Sequence, residues 1–348
     1  MKRLLLALLV IYTGLICRAQ PFGNEWIDYT QPHYKFKLLD YGFYRIPYSV
    51  LSAAIPNIQS VNPAHLALYR NGVAVPIFVS SNTTLGVNDY IDFYGERNDA
   101  LIDSFYYKTA AHQNNEYANL LTDSSTYYLT LRPNLVNPRY IEVPNNLSNL
   151  PAKEVYCWRK PFLQYFIGAY SEGKYYSVGP DEIYKSLYEE GEGFVNSTFF
   201  GTTSNASQAV NYAVTRNLTN LYTGGPDAIF KTSFINRSNE FHQVNITLNG
   251  TTIYQQPGAS GFRLQKVNQN VPISLLNSGS NTFVYSENGT AISNKQNSLT
   301  LCEIEYPATT DAAGLNKFWF SLDADPVNKK YIEITGLTTT ARNRFCMI

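Results

Sequence analysis

Leu66-Ala-Leu-Tyr-Arg-Asn-Gly-Val-Ala-Val-Pro-Ile-Phe-Val79 is two short apolar runs joined by Asn71-Gly72. Asn-Gly is the strongest short-range signal for a β-hairpin. Both residues tolerate positive φ, and the tight turn they allow matches the natural twist of two strands. The same grammar returns downstream, where Asn249-Gly250 joins Gln243-Val-Asn-Ile-Thr-Leu248 to Thr251-Thr-Ile-Tyr254.

Working outward, His33-Tyr-Lys-Phe-Lys-Leu38 alternates apolar and polar residues, as a half-buried strand does. Asp40-Tyr41-Gly42 then reads as a turn and Phe43-Tyr-Arg-Ile46 as a returning strand, so this pair is expected to form a hairpin. Further strands are expected at 89–94, 126–131, 228–234, 281–285 and 298–306, with 318–322 and 330–334 completing the set. Residues 98–123 are irregular and polar. Tyr48-Ser-Val-Leu-Ser-Ala-Ala54, entered through Pro47, is the best short helix. Short strands at regular spacing, without helices between them, argue an all-β fold: an N-terminal β-rich domain followed by a jelly-roll-like antiparallel β-sandwich. The polar, turn-rich stretch 145–151 suggests a boundary. The expected division is residues 20–150, an extended aromatic-rich connection 151–195, and a sandwich 196–348.

Composition agrees with this class. Lysine plus arginine and aspartate plus glutamate are both 27, so the formal net charge is zero. That gives no electrostatic footprint for nucleic acid. Charged residues are only 16% while aromatics reach 14%, a balance that suits pleated, half-buried surfaces. Lys2-Arg3, an apolar run from Leu4 to Ile16 and Ala19 before Gln20 describe a secretory signal peptide, residues 1–19. Acylation of Cys17 is the alternative, although Leu15-Ile16 fit a lipid-attachment site poorly. No later run is apolar enough to span a bilayer.

The chemistry-bearing residues form no known signature. Cys157, Cys302 and Cys346 remain after the signal peptide, with three possible pairings or none. His33, His65, His112 and His242 are the candidate bases for a Cys-His nucleophile, but none sits in a local motif. Asp89, Asp92, Asp99 and Asp103, and the turn Asp323-Ala-Asp325-Pro-Val-Asn328, offer oxygens for calcium; turn-forming aspartate is the plainer reading. Glu189, Glu190 and Glu192 have the residue types of a glycosidase pair, yet lie on a Gly-rich turn of the kind that is usually solvated. The sequons at Asn196 and Asn245 matter only in a glycosylating host. No catalytic, cofactor-binding or metal residue is therefore assigned, and no cofactor is expected.

Several stretches together resemble a family. They are Tyr34-Lys-Phe-Lys, Asp40-Tyr-Gly-Phe-Tyr-Arg-Ile-Pro-Tyr48, Leu68-Tyr-Arg-Asn-Gly-Val-Ala-Val-Pro-Ile77, Asp89-Tyr-Ile-Asp-Phe-Tyr-Gly95 and Glu190-Gly-Glu-Gly193. In order and company they are similar to the N-terminal, non-catalytic region of type IX secretion system sortases, from Glu25 to about Leu337. The resemblance implies a gingipain-like cysteine peptidase domain beyond this region, export to the periplasm or outer-membrane surface of a Gram-negative bacterium, and secretion-system or cell-envelope partners. It carries no active-site residue onto this chain. It also suggests that the chain is truncated after Ala341-Arg-Asn-Arg-Phe-Cys-Met-Ile348, leaving Phe318, Trp319, Phe320, Tyr331 and Ile332 as an exposed apolar patch. The alternative is a self-contained secreted carbohydrate- or protein-binding module, with Tyr165, Tyr170, Tyr175 and Tyr176 as stacking residues. A small esterase or peptidase is a third reading, disfavoured by the missing nucleophile signature.

Overall fold

The computed structural model describes residues 23–142, 146–160, 165–201, 210–288, 295–315, 318–325, 327 and 329–338. The expected signal peptide, Cys346, Asn328 and the residues after 338 lie outside them. The chain is strand-rich, its sheets are antiparallel, and its only α-helix among the described residues is one seven-residue segment. No helix among those residues is long and apolar enough to cross a membrane. Two compact units emerge, Met1–Asn98 with Thr122–Pro144, and Asp99–Leu121 with Asn145–Ile348.

The first unit contains β1 (Tyr34–Leu38), β2 (Gly42–Pro47), α1 (Tyr48–Ala54), β3 (Leu66–Arg70), β4 (Val73–Val75), β5 (Ile77–Val79), β6 (Tyr90–Gly95) and β7 (Ser125–Leu131). One sheet runs β1-β7-β3-β4 and the other β2-β6-β5. The Asn71-Gly72 hairpin forms as expected, with φ of 50° and 79°. Pro76 then interrupts the strand, and because proline cannot donate to a ladder, Ile77 leaves for the second sheet.

The expected hairpin over 33–46 does not form. β1 pairs with β7, while β2 pairs with β6 in the other sheet. The Asp40-Tyr41 link is a corner between sheets, held by the Tyr44 hydroxyl donating to the Asp40 carbonyl at 3.0 Å. Tyr34, Phe36 and Leu38 of β1 and Tyr44 and Ile46 of β2 all pack on one core built around Leu51, Leu66, Phe93 and Tyr127. Alternation had located the inward faces correctly, but it says nothing about which strand is the neighbour.

The second unit continues with β8 (Cys157–Arg159), β9 (Ala169–Glu172), β10 (Tyr176–Val178), β11 (Asp181–Ile183), β12 (Glu192–Val195), β13 (Phe199–Phe200), β14 (Asn211–Leu218), β15 (Ala228–Asn236), β16 (Phe241–His242), β17 (Val244–Leu248), β18 (Thr251–Gln255), β19 (Ala259–Ser260), β20 (Arg263–Val271), β21 (Gly279–Glu287) and β22 (Gln296–Ala308). A five-stranded sheet runs β13-β22-β15-β20 with β8 also on β22, and a four-stranded sheet runs β14-β21-β17-β18. The two share one core, in which Phe230 of β15 lies on Phe283 of β21. β17 and β18 turn through Asn249-Gly250, with φ of 50° and 88°.

The strands expected at 318–322 and 330–334 are not strands. Ser321 and Tyr331 make single bridges to Trp158 and Lys153. Of the five bulky residues there only Trp319 is exposed, at 47%, and Arg159 covers the ring of Phe318 at 4.7 Å.

β22 is buried along most of its length because its outer side is also covered. The polar segment 99–121 supplies part of that cover. Thr300 and Ser233 donate hydroxyls to the Asn114 carbonyl at 3.0 and 3.1 Å, and Asn115 Nδ2 donates to the Thr300 carbonyl at 3.3 Å. These bonds satisfy amides that burial would otherwise penalise. They also fix His112 and Lys108, a few residues earlier in the segment, beside the site described next.

Candidate functional site

In the second unit the Gly-rich turn at 188–193 delivers a carboxylate into a cavity. Gly191 (φ 80°) and Gly193 (φ 127°) adopt a backbone region that favours glycine. A Cβ on Gly193 would lie 2.8 Å from Asn114 Oδ1, so a side chain here would press on segment 99–121 as well as strain the backbone. The Tyr107 hydroxyl donates to the Glu192 carbonyl at 2.7 Å, and Asn114 Nδ2 to the Phe194 carbonyl at 3.2 Å. β12, which follows the turn, pairs with β9 and so brings Tyr170 and Glu172 alongside.

The cavity, of about 400 Å³, is lined by Glu172, Lys174, Tyr184, Lys185, Glu189 and Glu192. Glu189 is only 4% exposed. Its Oε1 takes the Tyr176 hydroxyl at 3.4 Å, Lys185 Nζ at 3.5 Å and Lys108 Nζ at 3.8 Å, while its Oε2 faces His112 Nδ1 at 3.9 Å. All four are longer than the roughly 2.7–2.9 Å of a strong charged hydrogen bond. His112 Nδ1 is buried without a hydrogen-bond partner.

Glu192 is held above the usual carboxyl range because burial outweighs hydrogen bonds from the Glu189 N–H and the Tyr170 hydroxyl. Burial and then the Glu192 charge push Tyr170 up, and burial does the same to Tyr107. Burial, followed by bonding to Glu172, raises Tyr184 to about 12. Lys185 Nζ lies 4.2 Å from the centre of the Tyr176 ring.

The structure thus gathers some expected residues and scatters others. Glu189, Glu192, Tyr170 and Tyr176 come together. Glu190 turns away and accepts the Leu264 N–H at 2.9 Å. Tyr175 packs edge-on against Phe262, and Tyr165 bridges Leu301 on β22. Asp89 caps a turn through Gly86 and Ser80, and Asp92 accepts two hydrogen bonds from the Arg45 guanidinium, at 2.8 and 2.9 Å. Asp99 and Asp103 belong to the second unit, unlike Asp89 and Asp92, and Asp103 accepts from Asn119 and the Leu120 N–H, both at 2.7 Å. Asp323 accepts the Tyr156 hydroxyl at 2.5 Å and Trp158 Nε1 at 2.7 Å, and Asp325 accepts the Val327 N–H at 3.1 Å. No three His, Cys, Asp or Glu side chains among the described residues are grouped to hold a metal ion.

Cys157 and Cys302 are buried free thiols. Cys157 faces the Thr309 carbonyl and Cys302 is set beside Tyr285 and Arg216. His33 bonds the Gln31 carbonyl, and His65 ends a short turn. His242 lies 3.0 Å from Ser238 Oγ through Nε2 and 3.2 Å from Glu287 through Nδ1, the order of a hydrolytic triad. However, Nε2 also lies 3.2 Å from the Ser238 carbonyl, Ser238 Oγ accepts the Gln296 N–H, and His242 is wholly buried. Glu287 further accepts from Asn297 and the Gln243 N–H. This is a closed network that ties strands together.

Lys108, Lys174, Lys185, Tyr107, Tyr184 and Glu172 were not singled out from sequence. Their one shared signal is polar and aromatic density in segments that form no long strand.

No family model and no curated protein matches the chain. Among solved structures, dimeric latent PorU from Porphyromonas gingivalis matches at 15% identity with a TM-score of 0.50, covering 85% of this chain and 26% of that one. The likeness is one of fold, and this chain spans about a quarter of that structure. A CBM36-1 domain of a multidomain xylanase from the hindgut metagenome of Trinervitermes trinervoides matches at 9% identity, covering 42% of this chain and 94% of that one, with a TM-score of 0.23. A family 35 carbohydrate binding module from Clostridium thermocellum matches at 12%, 32%, 89% and 0.20 in the same order. Agreement at the level of these last two carries no argument about fold or ligand.

Proposed function

We propose that this chain is the non-catalytic accessory region of a type IX secretion sortase-like protein, exported to the cell envelope, where it positions a gingipain-like cysteine peptidase domain. The observation that supports this most is the fold shared with latent PorU over 85% of the chain. On this reading the second unit's two sheets form a jelly-roll-like sandwich, and the peptidase or transpeptidase chemistry belongs to residues outside this chain. Cys157 and Cys302 are buried, and a buried apolar setting raises a thiol's pKa and leaves it a poor nucleophile.

The partner is a domain of defined chemistry, so the test is direct. An isotope-labelled chain titrated with the cysteine peptidase domain of a type IX sortase should show amide shifts confined to one contiguous surface. Unchanged spectra at the highest soluble concentration would count against a positioning role.

A further inference from the structure

We propose that the cavity around Glu189 is a binding site for a neutral, hydroxyl-rich ligand, namely a short saccharide. This goes beyond the accessory role and does not depend on it.

The wall of the cavity holds both acceptors and donors. Glu172, Glu189 and Glu192 present carboxyl oxygens, Lys174 and Lys185 present ammonium groups, and Tyr184 presents a hydroxyl. A monocation entering this space meets two lysines, and a monoanion meets three glutamates. A zwitterion needs its two partners segregated, whereas here Glu189 already faces Lys185, Lys108 and His112. A sugar hydroxyl donates and accepts at once. A row of vicinal hydroxyls therefore suits a wall of mixed donors and acceptors without bringing in net charge.

Glu189 supplies the second, independent observation. It is a buried carboxylate whose contacts all stand at 3.4 to 3.9 Å, opposite a buried His112 Nδ1 that has no partner. Buried polar groups are normally satisfied at closer range. Glu189, which does line the cavity, is therefore the group a ligand hydroxyl would serve, by donating to its carboxylate. The volume of about 400 Å³ lies within the roughly 300–1,000 Å³ of small-molecule pockets. Tyr184, 41% exposed, adds half-open aromatic surface of the kind sugars pack on.

Calorimetric titration of the full chain with cellobiose, xylobiose, chitobiose and methyl α-mannoside tests the site. Lysine, glutamate and a Gly-Arg dipeptide serve as charged probes. At least one saccharide should bind, with little dependence on salt. Lys185→Met and Glu172→Gln, both at exposed positions, should each weaken it about ten-fold, the loss expected for one hydrogen bond to a charged group. Glu189→Gln should abolish binding, and a thermal melt of that variant separates loss of the site from loss of the fold. Failure of all four saccharides to bind would overturn the proposal. So would binding unaffected by Lys185→Met and Glu172→Gln, or preference for a charged probe.

Discussion

Phe230 and Phe283 lie face to face, their ring centroids 4.9 Å apart and their planes 5° from parallel, one on each of the second unit's two large sheets. Both are 0% exposed. Removing one ring leaves a cavity between sheets that cannot close without shifting both. Phe283→Ala should therefore cost about 3–5 kcal/mol. Urea denaturation followed by tyrosine and tryptophan fluorescence would measure it, and a loss below about 1 kcal/mol would mean the sheets do not meet through these rings.

The Glu189 site rests on a turn that favours glycine. Gly193→Ala must hold a side chain at φ 127° and clear Asn114 Oδ1 at 2.8 Å. Strain of this kind costs about 1–3 kcal/mol. The variant should melt lower than the parent and expose the 99–121 segment to protease. An unchanged proteolytic pattern would show that the turn does not pack there.

Both described thiols should be inert in the native protein. Burial pushes Cys157 up to about 11 and raises Cys302 as well. The thiolate is the reactive form. Iodoacetamide at pH 8 should leave the peptides containing Cys157 and Cys302 unlabelled until denaturant is added. Rapid native labelling of either, seen by mass spectrometry, would contradict the packing around β8 and β22.

Acid should loosen the second unit through Glu287. Burial alone would raise its pKa, but hydrogen bonds with His242, the Gln243 N–H and Asn297 outweigh it, and the folded value lies below the ordinary 4.5. A depressed carboxyl contributes stability that is complete above its unfolded value and lost as pH falls through the folded one. Stability should thus drop below about pH 4.5, and Glu287→Gln should flatten that drop while lowering stability at pH 7. A Glu287→Gln profile parallel to the parent's would remove Glu287 as the cause.

The turns and inward faces were legible in the sequence because they are local. Asn71-Gly72 and Asn249-Gly250 carry their own positive φ, and Pro47 opens α1. The partner of each strand was not legible. Tyr34–Leu38 and Gly42–Pro47 alternate identically whether they pair with each other or, as found, with β7 and β6. β14 and β20 were missed because an edge strand such as Arg263–Val271 exposes many polar side chains and lacks a long apolar run. The candidate site was half legible. Glu189 and Glu192 stood out on their Gly-rich turn, but Lys108 and His112 reach them from about 80 residues away, through a polar segment whose burial depends on Asn114 and Asn115 bonding to β15 and β22.

The central proposal is that this region positions a peptidase domain of a longer sortase-like protein. An in-frame deletion of codons 23–338 in the native host, with the parent protein followed by immunoblot and secreted proteins by surface labelling, tests it most directly. The account predicts that any remaining parent persists while secreted proteins are no longer matured and attached at the cell surface. Normal attachment in the deletion strain would contradict it.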